Sequence, residues 1–301
     1  MALSVPSVPA GSWRVWLMAA RPATLPASIV PVLVGTAVGV HEGAFTLLPF
    51  LGALVAAVLM QIGTNLANDL FDFEKGVDTI QRLGPPRVTQ SGLASPRQVR
   101  SAMILSFAAA GAVGLYLTAV GGWPILLIGL CSIAAGITYT GGPWPLGYHG
   151  LGDLTVFVFF GLVAVIGSAY LQTATCSFTA FAAALPVGCI VTAILVVNNL
   201  RDLETDRQTG KYTLAVRLGA VRTRAQYALL LLAPYGLVTG FVVLGVLPRG
   251  CWLTWLTIPL ALSLVRTVWH GTDGPALNGV LKSTAQLHLF FGLLLAGGFL
   301  L

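Results

Sequence analysis

The sequence predicts an all-α integral membrane protein with nine transmembrane helices around a central cavity. Of its 301 residues, 56% are hydrophobic and only 9% are charged, whereas soluble domains carry about 25% charged residues. The mean hydropathy is +0.86. The apolar stretches are long runs of Leu, Val, Ala and Gly, without the alternation that a membrane β-barrel requires, so helices are the spanning structure that remains. This composition excludes a water-soluble enzyme.

Nine apolar segments reach the roughly 17 to 25 residues that a helix needs to cross the hydrocarbon layer. Charged or Pro/Gly breaks separate them, and they lie at residues 24–41, 46–67, 99–120, 123–141, 154–172, 178–199, 225–246, 251–269 and 280–301. We interpret 1–301 as a single transmembrane domain. Arg21 precedes the first segment and no cleavage site follows it, so this segment is expected to be an anchor and not a removable signal.

The basic residues predict the orientation of the chain. With nine spans, fifteen of the 16 Lys and Arg residues fall on one side of the membrane, and only Arg249 falls on the other. Positive charge marks the cytoplasmic face. We therefore expect a plasma-membrane protein with a cytoplasmic N-terminus and an external C-terminus. The net charge of +6 is then a topology signal and does not indicate nucleic-acid binding. Nothing in the sequence indicates an obligate protein partner; the lipid bilayer is the expected surrounding.

Seven of the ten acidic residues lie in two clusters, at 65–78 and 198–206, where spans 2 and 6 end on the cytoplasmic side. A carboxylate at such a depth is unfavourable unless it is paired, hydrated or bound to a cation. Helical spacing places oxygen ligands on one face in each cluster. The two trios are Asn65, Asp69 and Asp72, and Asn198, Asp202 and Asp206. Gly76 is expected to end the first helix and turn Asp78 back towards the same cavity. Such oxygen ligands suit Mg²⁺.

The two clusters are related by a constant offset, because Asn65 and Asn198, like Asp69 and Asp202, are 133 residues apart. Four spans separate them. An even number of spans implies a parallel repeat, with an axis along the membrane normal, that brings both acidic faces to one side at one depth. The expected architecture is two parallel four-helix repeats plus one helix, with its active site facing the cytoplasm.

Basic residues accompany each acidic cluster. The ordinary cytoplasmic charge bias is one explanation for them, and binding of a diphosphate is the other, since guanidinium groups bind phosphate oxygens bidentately. The candidates for diphosphate binding are Arg82, Arg87, Arg201, Lys211 and Arg217. The four Cys and four His residues show no spacing typical of a zinc site.

At these residues the chain resembles the UbiA superfamily of intramembrane aromatic prenyltransferases. The segment Asn68-Asp69-x-x-Asp72 with the later Asp78 is similar to the first acidic motif of that superfamily, and Asp202-x-x-x-Asp206 to the second. The general pattern places its last Asp four residues after the preceding one. Here Asp72 and Asp78 are six apart, which resembles the menaquinone branch, the 1,4-dihydroxy-2-naphthoate polyprenyltransferases. Four further segments, beginning at residues 20, 65, 147 and 198, are similar to that branch.

The resemblance implies Mg²⁺-dependent transfer of a prenyl chain from a polyprenyl diphosphate to 1,4-dihydroxy-2-naphthoate, with loss of CO₂, giving demethylmenaquinol. It makes the four carboxylates Asp69, Asp72, Asp202 and Asp206 catalytic. It also implies metal contacts from these four with Asn65, Asn68, Asp78 and Asn198. Other acceptors, such as 4-hydroxybenzoate or homogentisate, would share the diphosphate half of the site. An ion transporter is a further alternative, although its acids would be expected nearer mid-membrane.

Four residues are candidates for contacts with the aromatic acceptor or the allylic cation: Arg21, Tyr139, Tyr148 and Asp153. A tyrosine ring attracts a cation, but tyrosines are also common at membrane interfaces. Asp153 could bind the acceptor, orient an arginine, or cap the helix that begins near Leu154.

Overall fold

The computed structural model describes residues 12–78, 83–270 and 274–301, and within these ranges all regular structure is helical. The α-helices are α1 (Trp13–Ala20), α2 (Pro26–His41), α3 (Leu47–Glu74), α4 (Pro96–Gly121), α5 (Trp123–Thr138), α6 (Gly152–Val156), α7 (Ala164–Thr173), α8 (Phe178–Arg201), α9 (Leu203–Gln208), α10 (Leu214–Val243), α11 (Ile258–His270) and α12 (Gly274–Phe299). A π-helical turn, Phe157–Val163, joins α6 to α7, and a 3₁₀ segment, Arg249–Thr257, precedes α11.

Seven helical segments within the described ranges are long and apolar enough to cross a membrane. The bent pair formed by α1 and α2 would be an eighth. The segment expected at 123–141 contains α5, an apolar helix of only 16 residues. The described ranges are therefore all-helical and contain several helices that can span a membrane, whereas the count of nine spans stays a prediction.

Helix α1 was not expected from the sequence. Ser12 caps its first turn, and Arg21 ends it in the left-handed conformation at φ +51°. Pro22 follows and cannot continue a helix. The axis then turns by 52° before α2 begins. Because α1 has only eight residues and ends at Arg21, its apolar residues were too few to be recognised as part of a span in the sequence.

Helix α8 is the central element of the fold. Of its most apolar 18 residues, 78% are buried inside the protein. It packs against α2, α10 and α12, and small residues bring it close to the π-helical turn. A Cβ on Gly161 would lie 2.5 Å from the Cα of Gly188, so only glycine fits at this crossing. A second group of helices, α3, α4 and α5, packs beside this core.

The helix ends that carry the acidic motifs are irregular. After α3, Gly76 adopts φ +68°, and the amides of Val77 and Asp78 donate to the carbonyl oxygen of Asp72, at 2.9 and 3.4 Å. The second motif is not one continuous helix, contrary to the sequence expectation, because Asp202 leaves helical geometry between α8 and α9. Asp206 nevertheless keeps its phase, since its amide donates to the carbonyl of Asp202 at 2.8 Å.

Candidate functional site

A small polar cavity of about 30 Å³ lies where the cytoplasmic ends predicted for α3 and α8 meet. Both acidic motifs contribute to it. Its lining consists of Asp72, Val77, Asp78, Arg87, Asn198, Asp202, Thr205, Asp206 and Lys211. The fold thus brings together seven of the residues that the sequence singled out, from segments more than 100 positions apart. Thr205 was not among those candidates.

Asp72 is the most connected carboxylate of this cavity and is almost fully buried. Its Oδ2 lies 2.7 Å from Nη1 of Arg87 and 3.5 Å from Nζ of Lys211. Its Oδ1 accepts a hydrogen bond of 2.6 Å from the hydroxyl of Tyr148. Two cations and one neutral donor therefore compensate its burial.

Arg87 reaches the cavity from the loop between α3 and α4. Besides Asp72, its Nη1 contacts Oδ2 of Asp78 at 2.7 Å and the carbonyl oxygen of Asn68 at 2.6 Å. Burial alone would lower the pKa of Arg87, but the carboxylates of Asp72 and Asp78 outweigh it and raise the pKa above the ordinary arginine value. Arg87 is thus a permanent cation of this site.

The second motif is held by an arginine next to it in the chain. Arg201 donates from Nε and Nη2 to the two carboxylate oxygens of Asp202, at 2.7 and 2.5 Å. It also donates to the side-chain oxygens of Asn198 and Asn278, at 2.8 and 2.9 Å. Because these four bonds use much of the guanidinium, Arg201 positions the second motif in this structure. Asn278, on α12, was not predicted.

Asp69 does not line the polar cavity, although its spacing predicted that it would. Its two carboxylate oxygens accept the backbone amides of Val88 and Thr89, each at 3.1 Å. The reason is angular: at about 3.6 residues per turn, Asp69 and Asp72 differ by about 60° around the helix. Asp69 therefore faces the loop that carries Arg87, and it fixes that loop.

Asn65 and Asn68 also lie outside the polar cavity. The Nδ2 of Asn65 donates to the carbonyl of Ala20 and to the hydroxyl of Thr24, each at 3.0 Å. The side-chain oxygen of Asn68 accepts from the hydroxyl of Thr140 at 2.9 Å. Both asparagines line a second, larger cavity instead. Arg82, another candidate for diphosphate binding, lies outside the described residues.

The ring of Tyr148 is contacted by two lysines. Nζ of Lys75 lies 4.8 Å from the ring centroid, and Nζ of Lys211 lies 5.2 Å from it. Lys75 also donates to the carbonyl of Thr140 at 2.6 Å, and burial lowers its pKa. Burial, followed by the nearby charge of Asp72, raises the pKa of Tyr148 well above its ordinary value. Tyr148 is thus a neutral donor to Asp72, and its ring binds protein cations.

The larger cavity has a volume of about 700 Å³ and an almost wholly apolar lining. It lies between α3, α4, α5 and the α6–α7 segment, and its polar residues include Gln61, Asn65, Asn68 and Tyr139. Asn68 connects the two cavities, because it lines the apolar cavity and its carbonyl oxygen contacts Arg87 of the polar cavity. A charged end and a long apolar space are therefore adjacent.

The remaining candidates surround this junction. Asp153, buried near the start of α6, accepts from Nε2 of Gln226 at 2.6 Å, a partner that the sequence did not reveal. Leu151 is the N-cap residue of that helix, so Asp153 lies within its first turn. Arg217 packs on Gly150, where an added Cβ would lie 3.0 Å from its Nε. The backbone carbonyl of Arg21 accepts from the hydroxyl of Thr24 at 2.9 Å, next to Asn65.

The donor set of the polar cavity fits Mg²⁺. In the described ranges, no three His, Cys, Asp or Glu side chains form a complete metal site of their own. Mg²⁺, however, keeps several waters and uses one or two carboxylates together with substrate phosphates. The oxygens of Asp72, Asp78 and the Asn68 carbonyl already converge on one cationic nitrogen at 2.6 to 2.7 Å.

Residues 28–278 match the UbiA prenyltransferase family. The chain belongs to this family. It is 40% identical to the 1,4-dihydroxy-2-naphthoate octaprenyltransferase of Mycobacterium leprae, over 95% of this chain and 96% of the relative. It is 39% identical to the Escherichia coli protein of the same name, over 96% of each. It is also 31% identical to the UbiA prenyltransferase domain-containing protein 1 of Gallus gallus, over 97% of this chain and 88% of the relative.

Two solved structures share the fold of this UbiA family member. A UbiA homologue from Aeropyrum pernix superposes with a TM-score of 0.67 at 19% identity, covering 90% of this chain and 96% of the homologue. One from Archaeoglobus fulgidus, bound to GPP and Mg²⁺, gives 0.64 at 15% identity, covering 94% and 99%. The fold and the family together make the protein a multi-pass membrane prenyltransferase.

Proposed function

We propose that this prenyltransferase transfers a polyprenyl group from its allylic diphosphate to 1,4-dihydroxy-2-naphthoate, with loss of CO₂, giving demethylmenaquinol and diphosphate. The observation that carries the proposal is the junction of a buried, cation-rich carboxylate cavity with an apolar cavity of about 700 Å³. A polyprenyl diphosphate has the same division into a charged head and an apolar chain. The acceptor follows from near-full-length relatives of that name at 40% and 39% identity.

In this proposal the polar cavity binds the diphosphate. Among the described residues, Lys211 and Arg87 are the basic side chains that line it, and they would bind the phosphate oxygens as negative charge develops on the leaving group. Asp72, Asp78, Asp202 and Asp206, with Asn198, would hold Mg²⁺. When Mg²⁺ is bound, it supplies further charge neutralisation for the departing diphosphate.

The apolar cavity would hold the prenyl chain and exclude water from the reacting carbon. Tyr139 is the aromatic residue at the polar end of this cavity, and its ring can stabilise an allylic cation there. Tyr148 suits this role less well, because its ring already contacts Lys75 and Lys211. We assign the acceptor to the region of Arg21 and Asp153, with Gln226 positioning the Asp153 carboxylate.

The test is prenyl transfer by purified protein in detergent with Mg²⁺ and a labelled allylic diphosphate. Three acceptors should be compared: 1,4-dihydroxy-2-naphthoate, 4-hydroxybenzoate and homogentisate. We expect prenylated product and CO₂ with the naphthoate only. Efficient product formation from 4-hydroxybenzoate would overturn the acceptor assignment, and chelation with EDTA should abolish the reaction until Mg²⁺ is restored.

We also propose that the chain forms one domain of nine spans in the plasma membrane, arranged as two parallel four-helix repeats plus one helix. The N-terminus and the polar cavity would be cytoplasmic, and the C-terminus external. The support is the 133-residue offset between the motifs and the one-sided distribution of Lys and Arg.

Cysteine labelling in intact cells tests this orientation. The four native cysteines would be replaced, and one Cys introduced by Gln208→Cys or by Arg249→Cys. A membrane-impermeant maleimide should label only the Arg249→Cys protein. Labelling of the Gln208→Cys protein from outside would show that the proposed orientation is wrong.

A further inference from the structure

One nitrogen of Arg87 occupies a position suited to a metal ion. Its Nη1 lies 2.6 Å from the carbonyl oxygen of Asn68 and 2.7 Å from carboxylate oxygens of both Asp72 and Asp78. Two of these three oxygens belong to carboxylates that are almost fully buried. Hard oxygens that converge on a single point are the environment that Mg²⁺ prefers.

The guanidinium is poorly matched to this position. Arginine ordinarily binds carboxylates and phosphates through its planar fork, with two parallel N–H bonds. Here all three close contacts run through one nitrogen, so Arg87 acts as a point charge. Its Nε is buried and finds no hydrogen-bond partner among the described residues. An unpaired buried donor is unfavourable, and a ligand with several closely spaced oxygens, such as a diphosphate, would satisfy it.

We propose that Arg87 is an internal counter-ion of the first acidic motif. Without substrate, it neutralises Asp72 and Asp78 and occupies the position of the divalent cation. A bound diphosphate attracts the guanidinium to its own oxygens and frees the carboxylates for Mg²⁺. The inference rests on the proposed function and deepens it, because it makes diphosphate binding and Mg²⁺ binding interdependent.

Two consequences follow from competition for the same oxygens. The free protein binds a divalent cation weakly, since a cation must displace Arg87 from Asp72 and Asp78. By thermodynamic reciprocity, any diphosphate that displaces Arg87 strengthens cation binding by the same factor that the cation strengthens diphosphate binding. Lys211, at 3.5 Å from Asp72, stays as a second cation and limits the size of the effect.

The test measures cation binding by the full-length protein in detergent, without any prenyl substrate. Mn²⁺ is the probe, because its free-ion EPR signal disappears on binding, and Mg²⁺ is the competitor. We expect Arg87→Gln to bind Mn²⁺ at least about fivefold more tightly than the wild-type protein, within the usual range of coupling between sites. Arg87→Lys keeps a point charge in the same position and should bind Mn²⁺ as weakly as wild type.

Arg100→Gln is the matched control. It also removes one positive charge near the first motif, but Arg100 is exposed and pairs with Glu74 outside the cavity. Its Mn²⁺ affinity should equal that of wild type. Thermal unfolding adds a second readout. Without divalent ions, Arg87→Gln should unfold at a lower temperature than wild type. Mn²⁺ should raise the melting temperature of Arg87→Gln by more than it raises that of wild type.

Unchanged or weaker Mn²⁺ binding by folded Arg87→Gln would overturn the proposal. A variant that folds only with a divalent cation would support it, because the cation then replaces the missing guanidinium. Failure of the proposed function would give a different result. The wild-type protein would then show no prenyl transfer, whatever its affinity for Mn²⁺.

Discussion

The two acidic motifs are offset copies in the sequence, yet different parts of the chain hold them in place. The first motif depends on distant groups, since Arg87, Lys211 and Tyr148 all converge on Asp72. In the second motif, Arg201 binds its neighbour Asp202 and Asn198, and it also binds Asn278 of α12. In the first motif, three groups from separate segments thus fix one carboxylate, whereas in the second one arginine at the end of α8 binds the neighbouring carboxylate and joins it to α12.

Residues at corresponding positions of the two motifs also differ in what they contact. Asp69 and Asp202 are 133 positions apart and open the two motifs. Asp69 binds backbone amides of the loop between α3 and α4, whereas Asp202 lines the polar cavity. Two acidic residues at the same offset therefore have different surroundings in this structure, and substitutions can distinguish their roles.

The largest effect is expected at Asp72. Asp72→Asn removes the charge on which Arg87, Lys211 and Tyr148 converge, so turnover should fall by about 10³-fold, comparable to the loss of an essential electrostatic group in other enzymes. Steady-state kinetics with saturating Mg²⁺ would measure it. Glu74→Gln, two residues further along α3 and outside the cavity, is the control and should keep near-normal turnover.

Asp206→Asn should produce a smaller loss, about 10²-fold in turnover. Asp202 remains in the same cavity and keeps part of the negative charge that the second motif contributes. The same assay applies, with the Mg²⁺ concentration varied, because weakened cation binding should raise the Mg²⁺ concentration that gives half-maximal rate. Wild-type turnover for this variant would contradict the proposed role of the second motif in catalysis.

Asp69→Asn should act first on stability. The carboxylate accepts two backbone amides, and an asparagine offers only one oxygen in their place. Losing a hydrogen bond to a charged group costs about 1.5 to 3 kcal/mol, so the melting temperature in detergent should fall clearly below that of the wild-type protein, while the Mg²⁺ concentration that gives half-maximal rate stays near its wild-type value. A wild-type melting temperature together with a raised Mg²⁺ requirement would instead support the metal-binding role that the spacing of Asp69 predicted.

Tyr148→Phe should have the smallest effect, about a tenfold loss of turnover, because it removes one hydrogen bond to Asp72 and keeps the ring for Lys75 and Lys211. The pH profile gives a further check. Since the pKa of Tyr148 is raised, its hydroxyl stays protonated through the ordinary phenol range near pH 10. The wild-type rate should therefore show no Tyr148-dependent decline there, and Tyr148→Phe should show the same alkaline profile.

Much of this arrangement was predictable from the sequence. The membrane class and the two motifs follow from composition and spacing. Their meeting in one cavity was expected from the 133-residue offset, because carboxylates buried in an apolar chain are unfavourable unless they are paired or bind a cation. Hydropathy also placed most helices, although it missed the short helix α1 that Arg21 and Pro22 terminate.

Side-chain partners were less predictable. Spacing on a helix fixes a face only to within tens of degrees, so it could not separate Asp69 from Asp72. It also could not show that Gln226 binds Asp153, or that Lys75 and Lys211 contact Tyr148, since these pairs join distant segments. One local signal existed for Lys75, which directly follows α3 and lies within the first acidic cluster.

The burial of α8 has a consequence for how the sequence can vary. Lipid-facing positions accept almost any apolar side chain, since acyl chains adapt to its shape. At α8 the surroundings are other helices, and at Gly188 even one methyl group would meet the ring of Phe157 at 2.9 Å. Mutational tolerance along this chain should therefore follow side-chain volume in α8 and hydropathy alone in the lipid-facing helices. A saturation scan would find Ala184→Leu harmful and Leu105→Ile neutral, although both exchange one apolar residue for another.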